Sequence, residues 1–328
     1  MYKKFFHLKQ NPFEIAPDPS FLFATRKHNE ALAALYYGVK RRKGFVVLTG
    51  EVGTGKTLLV RCLLQVLRGA GMAYGYVFNP RLGPMEFLQY AAGDLGLTTA
   101  GKSKSELLMD LNNFLISRHQ KDQTTVLVVD EAHHLSAEVL EEVRLLTNLE
   151  TPGAKLLQIL LVGQPELNEK LDSVGLRQLK QRIALRSHLG PLDREETGGY
   201  VHRRLELAGN ENPVQVFPPE TIAEVHRQSQ GFPRLINTLC ENALIQGYGR
   251  QTQSIAPEVI REIASDFRLN VQHAPSVERV QTDLHLLQFE QAAKGLLDMY
   301  QQLRAARDHG TNLEVAAGVG EHEHEPYI

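Results

Sequence analysis

The residues with the plainest chemical potential are Gly50-Glu51-Val52-Gly53-Thr54-Gly55-Lys56-Thr57. The pattern G-x-x-x-x-G-K-T fits a loop whose backbone N–H groups turn inward onto phosphate oxygens. Gly50, Gly53 and Gly55 permit the tight curl. Lys56 can reach the β- and γ-phosphates of ATP, and the Thr57 hydroxyl can serve Mg²⁺. Glu51, Val52, Thr54 and Leu58 complete the stretch within reach of a nucleotide. An apolar run precedes the loop and a helical pattern follows it. A phosphate loop needs that strand and that helix, whose N-terminus adds positive charge.

A second group ends the apolar run Thr125-Val-Leu-Val-Val-Asp130-Glu131. Ligands of open α/β sheets sit at the carboxyl ends of such strands. Asp130 can hold Mg²⁺ through water, and Glu131 can polarise an attacking water. Two acids there could merely cap a helix beginning near Ser136, but beside a phosphate loop they point to nucleotide hydrolysis. Asp130-Glu-Ala-His133 also spells DEAH, a helicase label. That reading is rejected, because such helicases need a second RecA-like domain and only a small helical region follows.

Gln164 ends the next apolar run, where its amide could lie between the acids and the γ-phosphate; the neighbouring Pro165 suits a first helical turn. Basic residues then precede the last expected strand: Arg177, Arg182 and Arg186. One of them can project as an arginine finger toward a neighbouring subunit's γ-phosphate, with Arg182 favoured over Arg177. Arg234 sits in the first turn of a helix opened by Gly231 and Pro233. The helix dipole disfavours a cation there, which suggests an anionic partner such as nucleotide phosphates.

These groups need elements to hold them. Strands are expected at 45–49, 74–78, 125–130, 156–162 and 185–189, alternating with helices near 26–42, 56–69, 84–96, 103–119, 136–149 and 165–182. That alternation predicts an α/β core with a mainly parallel sheet over 26–191. After Pro191 only helices are expected, at 193–208, 218–229, 233–248 and 256–267, forming a lid over 192–268. An arm rich in Phe and Pro covers 1–25. An amphipathic helix is expected within 269–308 and an acidic, disordered tail over 309–328, where His322 and His324 read as solvated.

Bulk numbers constrain the class. The chain has 328 residues, 42% hydrophobic and 23% charged, with a formal net charge of −2. No global basic excess marks it as a nucleic-acid coat. Two distant cysteines, Cys62 and Cys240, imply neither a disulfide framework nor zinc, and fit a cytoplasmic setting. No apolar run reaches the roughly 18 residues expected of a transmembrane helix. Lys40 to Lys43 (KRRK) followed by Gly44 reads as helix-stop chemistry, with a nucleic-acid contact as the lesser reading.

Taken in order, these parts resemble the AAA+ ATPases: Walker A at 50–57, Walker B at 125–131, sensor 1 at Gln164, box-VII arginines, and sensor 2 at Gly231-Phe-Pro-Arg234. Further stretches narrow the resemblance to the general secretion pathway protein A (ExeA-type) family. They are Asn11-Pro-Phe13 with Pro17-Asp-Pro19 and Phe21-Leu-Phe23, then Leu161-Val-Gly-Gln-Pro-Glu-Leu167 and Gly231-Phe-Pro-Arg-Leu-Ile-Asn237. The module is also similar to transposition ATPases of the TnsC, TniB and MuB type.

The resemblance implies a P-loop core with a five-stranded sheet of order 5-1-4-3-2 and a helical lid. It implies ATP between core and lid, assembly into a ring or filament, and Pro12 and Phe13 near the adenine. Full-length secretion ATPases of this kind continue into a transmembrane helix and a peptidoglycan-binding domain. Residues 268–328 offer one amphipathic helix and a tail instead, so the cell-wall role is not carried over.

The leading expectation is a cytoplasmic ATPase serving a secretion or polysaccharide-export system, with partners as its link to the inner membrane. Its rival is a DNA-binding transposition regulator, with Lys40 to Lys43 or Lys102 and Lys104 facing DNA. A third is a slow, nucleotide-gated scaffold whose 277–307 helix binds a partner.

Overall fold

A computed structural model describes residues 1–78 and 81–269. The helix expected at 277–307 and the acidic tail lie outside the described residues. Five strands form one parallel sheet: β1 (Phe45–Gly50), β2 (Ala73–Val77), β3 (Thr125–Val129), β4 (Leu157–Gly163) and β5 (Ile183–Leu189). Their spatial order is 2-3-4-1-5, the expected order read from the other edge. β1, β3 and β4 are buried along their whole length, as continuous apolar runs in a two-sided parallel sheet must be.

Alternation assigns the two faces. Val46, Leu48, Val126, Val128, Leu160 and Val162 point to one side. There they meet helix α1 (Arg26–Lys40) and helix α2 (Lys56–Gly69). Phe45, Val47, Leu127, Val129, Ile159 and Leu161 point to the other. There they meet α3 (Pro84–Asp94), α4 (Lys104–Gln120) and α5 (Ala137–Leu146). Gln158, which interrupts the β4 run, is 1% exposed. Its Oε1 accepts from the Gly44 N–H at 2.8 Å and its Nε2 donates to the Lys155 carbonyl at 2.9 Å, so both ends of the amide are satisfied.

The single helix expected over 165–182 is broken. Helix α6 (Glu166–Asp172) stops at Ser173, whose ψ of 150° is extended. A 3₁₀ turn (Val174–Leu176) and a short helix (Arg177–Lys180) follow. Ser, Val and Gly are weak helix formers. Leu171, Leu176 and Leu179 are all buried on either side of the break. A two-strand hairpin, Glu150–Thr151 with Ala154–Lys155, was not expected from the sequence. Pro152-Gly153 turns it, with Gly153 at φ +102°.

The lid comprises α7 (Arg194–Leu207), α8 (Pro219–Ser229), α9 (Pro233–Gly249) and α10 (Pro257–Asp266), with a short helix Pro213–Val216 between α7 and α8. Four of these five helices open on proline, which lacks the N–H that a first turn cannot pair. The N-terminal arm is built into this domain. Phe6, Leu8 and Phe13 are buried in the same cluster as Val201, Phe217, Ile236 and Leu244. Arg204, 4% exposed, has no carboxylate partner among the described residues. Instead its guanidinium donates to the carbonyls of Pro12 and Glu14 and to the Tyr200 hydroxyl. The ring of Phe21 lies 4.6 Å from it. The arm then crosses to the core, where Arg61 of α2 donates to the Pro17 carbonyl at 2.8 Å.

If the arm is part of the lid core, Phe6→Ala should cost about 3–5 kcal/mol of stability, the range for emptying a buried phenylalanine site. Denaturant unfolding checks this; a loss under about 1 kcal/mol would mean that the arm is only laid on the surface.

Candidate nucleotide site

Parallel register sets one edge of the sheet. Thr49 pairs with Gly163 and Gly50 with Leu189, while Val129 pairs with Leu161. Gly50, Asp130 and Gln164 therefore leave the sheet at neighbouring carboxyl ends. The loop that follows β1 uses two left-handed glycines, Gly53 (φ +83°) and Gly55 (φ +95°). A Cβ on Gly50 would stand 2.6 Å from the Leu189 carbonyl oxygen. Thr54 is fully buried and its hydroxyl closes the loop on the Glu51 carbonyl at 2.8 Å. Val52 is exposed at the loop tip and Leu58 is half-buried in the first turn of α2.

Gly55 caps α2 without a side chain, so the first N–H groups of this helix face the loop. Lys56 is 6% exposed and curls into the loop, donating to Gly50 O at 2.7 Å and Glu51 O at 3.0 Å. Burial pushes its pKa down, opposed by Glu131 and Asp130. A hollow ringed by backbone N–H groups with a buried ammonium inside fits a polyphosphate. His28, which the sequence reading assigned no role, braces the loop from α1. Its Nδ1 pairs with Thr25 Oγ1 at 2.8 Å, and its Nε2 lies 3.7 Å from the place of a Gly55 Cβ.

Asp130 is 5% exposed and fully hydrogen-bonded. Its Oδ2 accepts from Thr57 Oγ1 at 3.2 Å and from the Tyr76 hydroxyl at 2.6 Å, and its Oδ1 accepts from the Glu131 N–H at 2.9 Å. A hydroxyl and a carboxylate in contact at the helix N-terminus form a donor set suited to Mg²⁺ beside phosphate. Tyr76 was missed from sequence. Burial, then the Asp130 charge, raise its pKa, so it stays a neutral donor. Only its place on β2, paired with Val128, reveals it.

Glu131 takes the left-handed conformation (φ +53°), which side-chain-bearing residues rarely hold. Its side chain is 45% exposed, yet Oε2 is buried without a hydrogen-bond partner. His133 Nδ1 stands 3.5 Å from that oxygen. The Gln164 N–H donates to the same Nδ1 at 3.3 Å, and the Gln164 side-chain amide meets His133 Nε2 at 2.9 Å. Gln164 is thus beside the acids as expected, but through a histidine that the sequence reading treated only as a helicase letter. Burial, then His134, push the His133 pKa down.

The lid reaches the loop directly. Gly231 (φ +77°) lies so close to Leu192 that a Cβ would stand 1.9 Å from its carbonyl oxygen. That approach packs the start of α9 against the segment that leads from β5 into the lid. The Arg234 N–H donates to the Gly53 carbonyl at 3.2 Å, and a Cβ on Gly53 would meet Arg234 Cβ at 2.8 Å. The structure therefore brings Arg234 to the loop.

Two other expected residues are engaged elsewhere. Arg182 is tied inside its own subunit, donating to Arg144 O at 3.1 Å, to Asn148 Oδ1 at 2.7 Å and to the Thr147 hydroxyl. Arg177 is exposed, three residues after Val174, which is 94% exposed. Arg186 touches Asn168 Oδ1 at 3.3 Å. Phe13, 1% exposed, packs edge-on against Phe217 inside the lid, so its ring faces no cleft that could receive adenine. Pro12 offers its carbonyl to Arg204. Of the nominated DNA-facing cations, Arg42 pairs with Asp122, Lys102 with Asp110 and Lys104 with Glu142, while Lys40 lies over the ring of Tyr36. Cys62 and Cys240 are buried free thiols. Among the described residues no helix is long and apolar enough to cross a membrane.

Residues 39–171 match the AAA domain family. General secretion pathway protein A of Aeromonas hydrophila is 44% identical over 256 residues, covering 78% of this chain. The chain spans 46% of that relative's length. Among solved structures, the Aeropyrum pernix ORC2 protein aligns with a TM-score of 0.60 at 18% identity, covering 79% of this chain and 72% of its own. Drosophila ORC bound to DNA aligns with a TM-score of 0.60 at 20% identity, covering 81% and 66%. At such identities these two speak for the fold alone.

Histidines that lose water on folding set a pH dependence, buried His28 first among them. Burial holds His28 below its ordinary value of 6.5, and His133, His188 and His226 shift the same way. Below that value the unfolded chain binds protons that the folded chain refuses, so stability is lost as pH falls. The thermal midpoint should drop from about pH 7 to about pH 5, and His28→Asn should flatten part of the drop. An equal slope in wild type and variant would remove His28 from this account.

Proposed function

The chain carries an AAA+ ATPase module of the general secretion pathway protein A type, and from that premise we propose that it binds ATP with Mg²⁺ between the 50–57 loop and the lid, and hydrolyses it with Glu131 as general base. The observation that carries this reading is the convergence at one sheet edge of three groups. They are buried Lys56, the Thr57–Asp130 pair at 3.2 Å, and a Glu131 oxygen that is buried without a partner. A carboxylate oxygen left unpaired costs free energy, and an attacking water supplies the missing donor.

In this proposal Thr57 and Asp130 hold the metal, which when bound offsets phosphate charge. Lys56 and the loop N–H groups grip the β- and γ-phosphates, Gln164 faces the γ-phosphate, and Arg234 closes from the lid. Copies of the chain assemble with Arg177 reaching a neighbour's γ-phosphate, since Arg182 is held within its own subunit. The identity with the secretion relative supports service to a secretion or polysaccharide-export system, as a cytoplasmic motor docked through partners.

Glu131→Gln should keep affinity for Mg·ATP and lower kcat by about 10²- to 10⁴-fold. Lys56→Ala should lose nucleotide binding, read with a fluorescent ATP analogue. A Glu131→Gln protein that turns over at the wild-type rate would sink the assignment of the base. For assembly, Arg177→Ala mixed with Lys56→Ala should regain activity that neither has alone, because an intact site then meets an intact finger. No regain between folded, co-assembling variants would remove Arg177 from the neighbour's site.

A further inference from the structure

Asp130 offers an incoming cation less than a bare carboxylate does. The Tyr76 hydroxyl donates to its Oδ2 at 2.6 Å, and Thr57 Oγ1 donates to the same oxygen at 3.2 Å. The Glu131 N–H donates to Oδ1 at 2.9 Å. An ionised carboxylate has about four lone-pair sites, two on each oxygen. Oδ2 is therefore full, and Oδ1 keeps one free site. At 5% exposure, Asp130 has these protein donors in place of bulk water.

Tyr76 reaches this oxygen from the neighbouring strand. β2 pairs with β3 so that Tyr76 stands opposite Val128, in the cluster that α2 covers. Thr57 sits in the first turn of α2, so phenol and hydroxyl come to Oδ2 from the same side of the sheet. The backbone of Tyr76 is pinned as well, since its N–H donates to Asp94 Oδ2 at 2.5 Å. A phenol has one proton, and at 2.6 Å this one is committed to Asp130. Tyr74, two residues earlier, has a different duty: its hydroxyl accepts from Arg68.

Divalent cations differ in what they ask of a carboxylate. Ca²⁺ takes roughly six to eight oxygens and often both oxygens of one carboxylate. Mg²⁺ is octahedral, gives up its waters reluctantly, and is served through few carboxylate oxygens beside phosphate. A carboxylate with one oxygen already full has no bidentate face. It meets a cation only through the free site on Oδ1, directly or by way of a water. Thr57 keeps its bond to Oδ2 when its oxygen serves a metal, because a hydroxyl carries lone pairs besides its proton.

We propose that Tyr76 sets the metal specificity of the site: by occupying Asp130 Oδ2 it denies a larger cation bidentate ligation and leaves Mg²⁺ preferred over Ca²⁺. Tyr76 acts through Asp130 and is a positioning residue. The inference rests on the ATPase reading above and adds to it the residue that selects the metal.

The test reads nucleotide binding rather than turnover. A fluorescent ADP analogue is titrated into the full chain with Mg²⁺, with Ca²⁺ and with EDTA, for wild type, Tyr76→Phe and Tyr74→Phe. Wild type should bind the Mg²⁺ complex about tenfold more tightly than the Ca²⁺ complex, or better, the equivalent of one hydrogen bond to a charged group. Tyr76→Phe should lose most of that preference, chiefly by gaining affinity with Ca²⁺, since the ring stays and only the donor is gone. Tyr74→Phe should keep it. A wild type that binds both metal complexes equally, and better than the analogue in EDTA, overturns the proposal whether or not the variant folds. So does Tyr76→Phe protein that keeps the full preference, or that loses affinity equally in all three media, as a packing residue would. These outcomes leave the ATPase reading standing. Wild type that binds equally well in EDTA and in Mg²⁺ overturns instead the assignment of Thr57 and Asp130 to the metal, and no binding at all overturns the reading itself.

Discussion

Parallel register along β1, β4 and β3 is the constraint on which everything else rests. Because all three strands run the same way and are buried from end to end, their carboxyl ends open at one edge. Phosphate loop, acids and amide emerge there together. An antiparallel partner at any of these positions would send one of the groups to the opposite edge. Burial of alternating side chains on both faces fixes this register, since a slip by one residue would exchange the two faces. The chemistry of the site is thus a consequence of how Val, Leu and Ile pack far beneath it.

The lid meets that edge, and α9 meets the segment leading out of β5, by contacts at which a side chain has no room. Gly231 against Leu192 and Gly53 against Arg234 are both approaches of backbone to backbone or Cβ. They let α9 start directly over the loop. The N-terminal arm adds a second link, since it is clamped by Arg204 in the lid and by Arg61 in the core. The buried Arg204 guanidinium is thus satisfied by carbonyls and aromatic faces rather than by an acid. A change in lid angle must therefore be felt by the arm.

Much of this was legible in the sequence because its signals are local. Strand runs, the G-x-x-x-x-G-K-T loop and prolines at helix starts each name their own element. Even Gln164 and Arg234 fell where expected, since each sits a fixed step from a strand end or helix start. What the sequence hid depends on neighbours distant along the chain. Tyr76 is an unremarked tyrosine until β2 pairs with β3. His133 looks like part of a label until Gln164 arrives beside it. Arg182 and Arg177 are alike as letters, and only the end of α5 decides which is tied down. Phe13 shows the same limit, because an aromatic residue in a family motif can belong to a hydrophobic core. The break at Ser173 lies at Ser-Val-Gly, three weak helix formers whose effect the apolar pattern of 165–182 masks.

The central claim is that nucleotide is held between loop and lid, with the acid edge of the sheet included. Amide hydrogen exchange with and without Mg·ATP tests it most directly, using Glu131→Gln to prevent turnover. Protection is predicted at 50–58, at 130–133 and 164, and in the first turn of α9 at 232–236. Protection confined to the loop, with the first turn of α9 and the acid edge unchanged, would contradict it.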